Sequence, residues 1–395
     1  MNKSTFFTGQ PIFNQLLKFI PRDTVCRISL DNKADRYCKK FNTYEHLVTM
    51  LYAIFNNCHS LREVVTGMLA SEQRLSHLGV RYHPRRSTLS DANNRRSAKV
   101  FEDIYYALFN KYACFLSDSR RGLYIFDSTT ISLFQEILRT GGMIPASGKR
   151  KGGIKVHTLL RSDQDVPCMI RFSQAAASDS PFLKQVHLPP GSIILFDRGY
   201  HDLSGFQRFT ENKVTWITRR RQPFKITVLK TLEIRPSQKD IISDEQVLIG
   251  LRPGHIVQAR LITYRNSMSN ECYQFLTNNF RMQPSTIADL YRKRWQIEML
   301  FKRMKQNYPL RYFLGDTENA VQIQIWCAMI ADFIINLVKR TVATKWSFSN
   351  LCAMVRLHLM TYINLKAFLK APEKALLRML KYNKPNSFNL LLFKT

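Results

Sequence analysis

"LYIFDSTTISLF", Leu123 to Phe134, is where the chain changes period. Upstream, apolar residues recur every three or four positions. From here they come in short β-branched and aromatic runs bounded by turn residues, the pattern of strands. "GGIKVHTLL" and "VPCMIRF" follow, separated by "RSDQD", which reads as a hairpin turn. "DSPFLKQV" suits a short helix, "SIILFD" a buried strand, "DLSGFQRFTEN" a helix and "KVTWITR" a fifth strand. The order is β-β-β-α-β-α-β.

That order predicts an α/β fold with a ribonuclease-H-like catalytic core, three antiparallel strands first and parallel additions after. Strands one and four then lie side by side. "LYIFD" ends in Asp127 and "SIILFD" in Asp197, so two carboxylates are expected to converge at the sheet edge, where open α/β sheets build their sites. Either aspartate taken alone also reads as a turn cap. A third acid lies in "LYRKRWQIEMLFKRMKQ", Leu290 to Gln306, a strongly basic stretch with a single carboxylate, Glu298. On a helix, Leu290, Ile297, Leu300, Phe301 and Met304 form an apolar stripe. Tyr291, Arg294, Glu298 and Lys305 form a second stripe beside it. The same spacing also suits ordinary i,i+4 Arg–Glu pairing on a helix surface.

Three converging carboxylates repel one another unless they bind hard cations. Oxygen ligands suit Mg²⁺ or Mn²⁺, and two such ions about 3.5–4 Å apart can activate a water and stabilise the leaving 3′-oxygen of a phosphodiester. Asp127, Asp197 and Glu298 are therefore the expected catalytic and metal-binding residues. Arg294 and Lys305 are placed to hold a DNA phosphate beside the metals, Arg with two hydrogen bonds and Lys as a point charge. Arg198, next to Asp197, reads either as a phosphate contact or as a partner for that aspartate. His157 faces the site or packs in its strand. "SGKRKGGIK" and "TRRRQPFK" are further phosphate contacts or solvated basic turns.

Composition agrees with a polyanionic partner. Fifty-nine Lys and Arg against 29 Asp and Glu leave a net charge of +30, while the hydrophobic fraction of 45% is ordinary for a globular chain. The apolar runs are interrupted within a dozen positions, so no transmembrane span or signal peptide is expected and a membrane partner is not. The eight cysteines are scattered without a C-x-x-C pair, which fits a reducing cytoplasm and argues against a zinc ribbon or disulfide scaffold.

Three domains are expected: a helical DNA-binding domain over 1–118, the catalytic core over 119–317 and a C-terminal helical region over 318–395. In the first, "TYEHLVTMLYAIFNN" is a helix opened by Thr43, "SLREVVTGML" starts with a Ser60/Glu63 capping box, and "HPRRSTLSDANNRR" reads as a basic loop. Within the core, residues from about 220 to 283 alternate as strands and read as a β-rich insertion.

The spacing Tyr291-x2-Arg294-x3-Glu298-x6-Lys305 resembles the signature of DDE transposases of bacterial insertion sequences, the branch called insertion-sequence family four. "FDRGY" around Asp197, "GGIKVHTLL" and the stretch from "FNQLLKFIP" through "STLSDANNRR" resemble it too, so the likeness covers nearly the whole chain. The resemblance implies a Mg²⁺-dependent cut-and-paste enzyme of the bacterial cytoplasm and nucleoid. It implies nicking at the element's terminal inverted repeats, hairpin formation, reopening and joining to target DNA by a homodimer in a synaptic complex. It also implies that Tyr291, Arg294 and Lys305 touch phosphates near the hairpin. It implies that a β-insertion like residues 220–283 helps hold a flipped base on an aromatic side chain, with Trp216, Tyr264, Tyr273 and Phe275 as candidates that also read as ordinary strand core. A nuclease on the same core, or a non-catalytic DNA-binding inhibitor, are the alternative readings.

Overall fold

The computed structural model describes residues 10–116, 122–132, 153–175, 177, 180–221, 225–250 and 256–374. Its helices and strands, in chain order, are α1 (Ile12–Leu17), α2 (Arg22–Asp31), α3 (Thr43–Asn56), α4 (Leu61–Leu69), α5 (Glu72–Leu75), α6 (Arg86–Arg95), α7 (Ala98–Leu116), β1 (Leu123–Ser132), β2 (Gly153–Arg161) and β3 (Val166–Gln174). There follow α8 (Ser180–Leu183), β4 (Ile193–Phe196), α9 (Leu203–Glu211), β5 (Thr215–Arg219), β6 (Ile226–Thr231), β7 (Ile241–Ile249), β8 (Val257–Arg265) and β9 (Cys272–Thr277). The chain then runs through α10 (Pro284–Arg292), α11 (Trp295–Asn307), α12 (Glu318–Val342), α13 (Phe348–Leu357) and α14 (Leu365–Lys370). It divides into two compact units, Met1–Leu108 with Met304–Thr395, and Phe109–Arg303.

The second unit carries the sheet. The strand order is β3-β2-β1-β4-β5-β9-β8-β7-β6. β1, β2 and β3 are antiparallel, while β4 and β5 add in parallel beside β1. The β-rich segment after β5 continues the same sheet. β9 pairs antiparallel with β5, and β8, β7 and β6 extend the same sheet outward. One core follows, running from Phe126, Phe196, Phe206 and Trp216 to Val247, Ala259, Leu261 and Leu276. The Phe206 ring stacks on Trp216 at 4.4 Å, which seats α9 on β5.

A buried ion pair ties the added strands to the helices that follow. Arg260 donates to Asp244 at 2.8 and 2.6 Å, with side chains 5% and 1% exposed. The remaining Arg260 nitrogen donates to the carbonyls of Asn279 and Met282. A buried pair survives only when its other hydrogen-bonding positions are filled, as here. The result fixes the loop that leads into α10, and so the start of the segment carrying Glu298.

The segment Leu290–Gln306 is not one helix. α10 ends at Arg292 and α11 begins at Trp295. Between them the amides of Arg294, Gln296 and Ile297 bond to carbonyls three residues back, the tighter 3₁₀ pattern. Even so, Ile297, Leu300, Phe301 and Met304 are buried as the apolar stripe requires.

In the first unit, N- and C-terminal helices pack together, so the two helical regions separated in the sequence reading share one compact body. α12 lies against α3, α6, α13 and α14, and the Tyr105 ring meets Trp326 at 5.5 Å. α12 is long and apolar enough to cross a membrane, but its apolar window is 94% buried, as in a core helix. The stretch read as a basic loop contains α6. Leu89 and Ala92 are buried on its inner face, and Asn93 bonds His46 at 2.8 Å. α3 is capped by Asn42 with Glu45 rather than by Thr43. At α4 the Ser60 hydroxyl accepts from the Glu63 amide, while Glu63 reaches the His59 amide instead of closing the box.

Candidate active site

The parallel pairing of β1 and β4 runs from Leu123 opposite Ile193 to Phe126 opposite Phe196. The next residue in each chain is Asp127 and Asp197, so the two carboxylates leave neighbouring backbones. Asp127 is not at a strand end, because β1 continues to Ser132 against β2. It stands where β4 stops, which opens the edge beside it.

Glu298 arrives on the first turn of α11. That helix is pinned to the β2–β3 turn at two points. Ser162 donates to Gln296 at 2.6 Å, and Arg303 donates to the Asp165 carboxylate at 2.6 Å and to its carbonyl at 3.2 Å. Asp165 adopts φ 53°, a left-handed conformation that Asp tolerates better than most residues. These anchors escaped the sequence reading. "RSDQD" signalled only a turn, and nothing local pairs it with a helix more than a hundred residues later.

Arg294 occupies the centre. Its guanidinium donates to Asp127 Oδ2 at 3.0 Å and to Glu298 Oε1 at 2.6 Å. Burial lifts the Asp127 carboxyl to about 6, the Ser128 amide and Arg294 pull it back, and Asp197 and Glu298 push it up again. The Tyr291 ring lies 5.1 Å from Phe275 and 5.8 Å from the Arg294 guanidinium. Its hydroxyl is buried without a hydrogen-bond partner among the described residues, and burial raises its pKa well above the ordinary tyrosine value. Lys305 is exposed on α11, two turns beyond Glu298.

Among the described residues no three His, Cys, Asp or Glu side chains are close enough together to hold a metal ion. The donors nevertheless fit a hard divalent cation in kind. All three are carboxylates, Asp197 and Glu298 both push the Asp127 carboxyl up, and a cation, the Arg294 guanidinium, already stands among them.

Other residues singled out in the sequence fall into place. Arg198 is exposed, makes no ion pair with Asp197 among the described residues, and lines a cavity of about 600 Å³ together with it. His157 is fully buried, its Nε2 paired with Ser173 at 2.8 Å and its ring stacked on Phe182, so it packs within its strand. Trp216, Tyr264 and Phe275 are core residues. Of the four aromatics only Tyr273 keeps a partly exposed ring, with Arg219 above it at 4.8 Å. Residues 147–152 of "SGKRKGGIK" and 222–224 of "TRRRQPFK" lie outside the described residues.

Asp127 gives a pH prediction for the chelator-treated protein. Its folded pKa lies above the usual 3.8, so the folded state binds the proton more tightly than the unfolded chain. Its stabilising contribution is therefore greatest below pH 4 and is lost as pH rises to about 6. Above that, ionised Asp127 costs on the order of 2–3 kcal/mol. Asp127→Asn is expected to unfold at a higher temperature than wild type at pH 7.5, with the gap closing by pH 4.5. A variant no more stable than wild type at pH 7.5 would show that Arg294 already cancels the penalty.

Comparison with known proteins agrees with this architecture. The family described as "Transposase DDE domain" matches residues 118–333, and a "Domain of unknown function (DUF4372)" matches residues 8–81. A Sinorhizobium fredii protein named as a transposase, y4zB, is 28% identical over 263 residues, covering 65% of this chain and 72% of its own. A Geobacillus stearothermophilus protein, named as a transposase for insertion sequence element IS5377, is 25% identical over 211 residues, 53% of this chain and 54% of its own. The piggyBac transposase, solved as a synaptic complex with hairpin DNA, shares the fold. Its TM-score is 0.50 at 12% identity, over 96% of this chain and 86% of that one. With more than half its length matched by that domain, and a sheet of ribonuclease-H-like order beneath it, the chain belongs to the DDE transposase family.

Proposed function

We propose that this DNA transposase works by cut and paste, with Asp127, Asp197 and Glu298 as its catalytic carboxylates and Tyr291-x2-Arg294-x3-Glu298-x6-Lys305 as a family-four signature. The observation that carries the reading is the single guanidinium bridging Asp127 and Glu298, beside the adjoining strand position of Asp197. The three carboxylates would hold Mg²⁺, or Mn²⁺ in its place, as a pair of ions. Bound there, the ions supply an activated water and stabilise the leaving 3′-oxygen.

The chain's own residues do the rest. Asp127, partly desolvated, must lose its proton before it can act as a ligand. Arg294 holds Asp127 and Glu298 together in the metal-free protein, then turns its fork to a DNA phosphate. Lys305 and Arg198 add charge along the strand, and the buried Tyr291 hydroxyl is free to donate to a phosphate oxygen. The helices of residues 1–118 bind the element's terminal inverted repeats, and a homodimer brings two ends together in a synaptic complex before target joining.

Protein with Mg²⁺ and labelled DNA carrying the terminal repeats tests this on a denaturing gel. Nicks followed by hairpins support it, nicks alone point to a nuclease, and a shifted band without cleavage points to a binding protein. Arg294→Ala and Lys305→Ala are each expected to nick slowly and accumulate nicked DNA with little hairpin. The loss at the hairpin step should be roughly ten- to a hundredfold, the value of one charge-assisted contact made in the transition state. If nicking and hairpin formation slow by the same factor, the pair is a general DNA clamp.

A further inference from the structure

Glu298 takes its position from α11, and α11 is not a plain continuation of α10. Between Arg292 and Trp295 the chain tightens, and the amides of Arg294 and Gln296 bond carbonyls three residues back. A short 3₁₀ link of this kind inside a helical run often marks a hinge. What fixes the turn of α11 about its own axis therefore has to be sought along α11 itself.

At about 100° per residue, the side chains of α11 fall on distinct faces. Ile297, Leu300, Phe301 and Met304 form the buried stripe, and Trp295 and Met299, on the far side, are exposed. Glu298 and Lys305 lie along one flank of the stripe, Gln296 and Arg303 along the other. Gln296 and Arg303 are about two turns, or about 10 Å, apart along the axis and bracket Glu298. Both are tied to the β2–β3 turn. Gln296 accepts from Ser162 at 2.6 Å, and the Arg303 guanidinium spans the Asp165 carboxylate at 2.6 Å and the Asp165 carbonyl at 3.2 Å. The Arg303 side chain is only 12% exposed, which shelters this contact more than an ordinary surface pair. The turn is itself braced, by Arg161 donating to Asp163 at 3.1 Å and by the Asp165 amide bonding the Arg161 carbonyl at 3.0 Å.

Apolar contact has no preferred direction, so the buried stripe resists a roll of α11 only weakly. A roll that lifts Gln296 and Arg303 off the turn carries Glu298, on the opposite flank, with it. In the metal-free protein Arg294 also holds Glu298. When that fork turns to a DNA phosphate, as in the mechanism above, the anchored flank is a hold that remains.

We propose that Arg303, with Asp165 as its partner, is a positioning residue that fixes the roll of α11 and so sets where the Glu298 carboxylate stands. The inference rests on the three-carboxylate reading above.

The test is Mn²⁺ binding by the full chain without DNA, read from the free-ion signal in electron paramagnetic resonance, beside a Mg²⁺ titration of nicking on end DNA. Arg303→Ala is expected to weaken Mn²⁺ binding about tenfold, the scale seen when a group that orients a metal ligand is removed. The Mg²⁺ concentration for half-maximal nicking should rise by about the same factor. The rate at saturating Mg²⁺ and the affinity for end DNA in chelator should stay near wild type. Asp165→Asn removes the charge but keeps a residue that tolerates φ 53°, so it should reproduce much of the shift. Arg303→Lys should recover part of it. Arg303→Ala/Asp165→Asn should be no worse than Arg303→Ala, because both act through one contact. Thermal unfolding in chelator checks the fold, and Asp165→Asn and Arg303→Lys carry the test should Arg303→Ala not fold. Wild-type Mn²⁺ affinity in the folded variants overturns the proposal. So does nicking that falls by the same factor at every Mg²⁺ concentration, which marks a merely structural role. Wild type that binds Mn²⁺ better than Glu298→Gln, with the Arg303 and Asp165 variants unchanged, overturns this inference alone. Wild type that binds Mn²⁺ no better than Glu298→Gln overturns the three-carboxylate site with it.

Discussion

Asp127→Asn, Asp197→Asn and Glu298→Gln are each expected to reduce nicking of end DNA in Mg²⁺ by about a thousandfold or more, and to leave DNA binding nearly intact. Removing a single electrostatic stabiliser from an active site commonly costs about 10²–10³ in rate. A lost metal ligand should cost at least that, because it disturbs both the ion and the water or leaving oxygen it serves. The three substitutions are close in shape, so packing changes little. Their effects on the empty protein should nonetheless differ. Asp127→Asn relieves a buried charge, since Asp127 titrates near 6. Glu298→Gln replaces the anion of the 2.6 Å pair with Arg294 and should weaken it. Thermal unfolding in chelator therefore accompanies the kinetics. A dead variant that is as stable as wild type or more so has lost chemistry and not structure. Near wild-type nicking in any one of the three removes that residue from the site.

How much of this site is legible in the sequence depends on the range of the interaction. Asp127 and Asp197 stand out because each follows a run of apolar residues, and strand order alone makes the strands that carry those runs neighbours. Glu298 stands out because it is the single acid of a basic amphipathic stretch, and the apolar stripe fixes which way it faces. The break at Lys293–Arg294 is not legible. No proline or glycine marks it, and the three-residue hydrogen bonds there leave the helical register almost undisturbed. The wheel places Arg294 beside Glu298 correctly, but its second partner, Asp127, lies 167 residues away and leaves no local trace.

The same limit applies to the sheet. The alternation of β6 to β9 identifies strands without saying what they pair with. That β9 closes on β5, and so continues the core sheet, follows from Arg219 opposite Phe275 and from the shared core under both. The polar α6 hides for a different reason. Leu89 and Ala92 are its only buried apolar residues, too few to raise a periodic signal among arginines, serines and asparagines.

DNA affinity is expected to fall by about 10³–10⁵ between roughly 50 and 200 mM salt. The net charge of +30 is the motive, but net charge alone does not set the slope. What sets the slope is the number of phosphates neutralised, each releasing counterions at about 0.9 per contact on duplex DNA. Roughly six to ten contacts give a log–log slope of about −5 to −9, and a fourfold rise in salt then weakens binding by about 10³–10⁵. Arginines 198, 219, 220 and 221 beside Asp197, with exposed Lys305 on α11, already offer five cationic groups near the carboxylates or along their helix. The exposed Arg85, Arg86 and Arg95 in and beside α6 offer three more in the helical unit. The two groups should separate in the titration. Arg198→Ala/Arg221→Ala should flatten the slope by about 1–2 on end DNA. Arg86→Ala/Arg95→Ala should flatten it on any fragment the helices bind. A wild-type titration with a slope near zero would mean that the positive charge serves something other than phosphate, and would remove the electrostatic basis for both assignments.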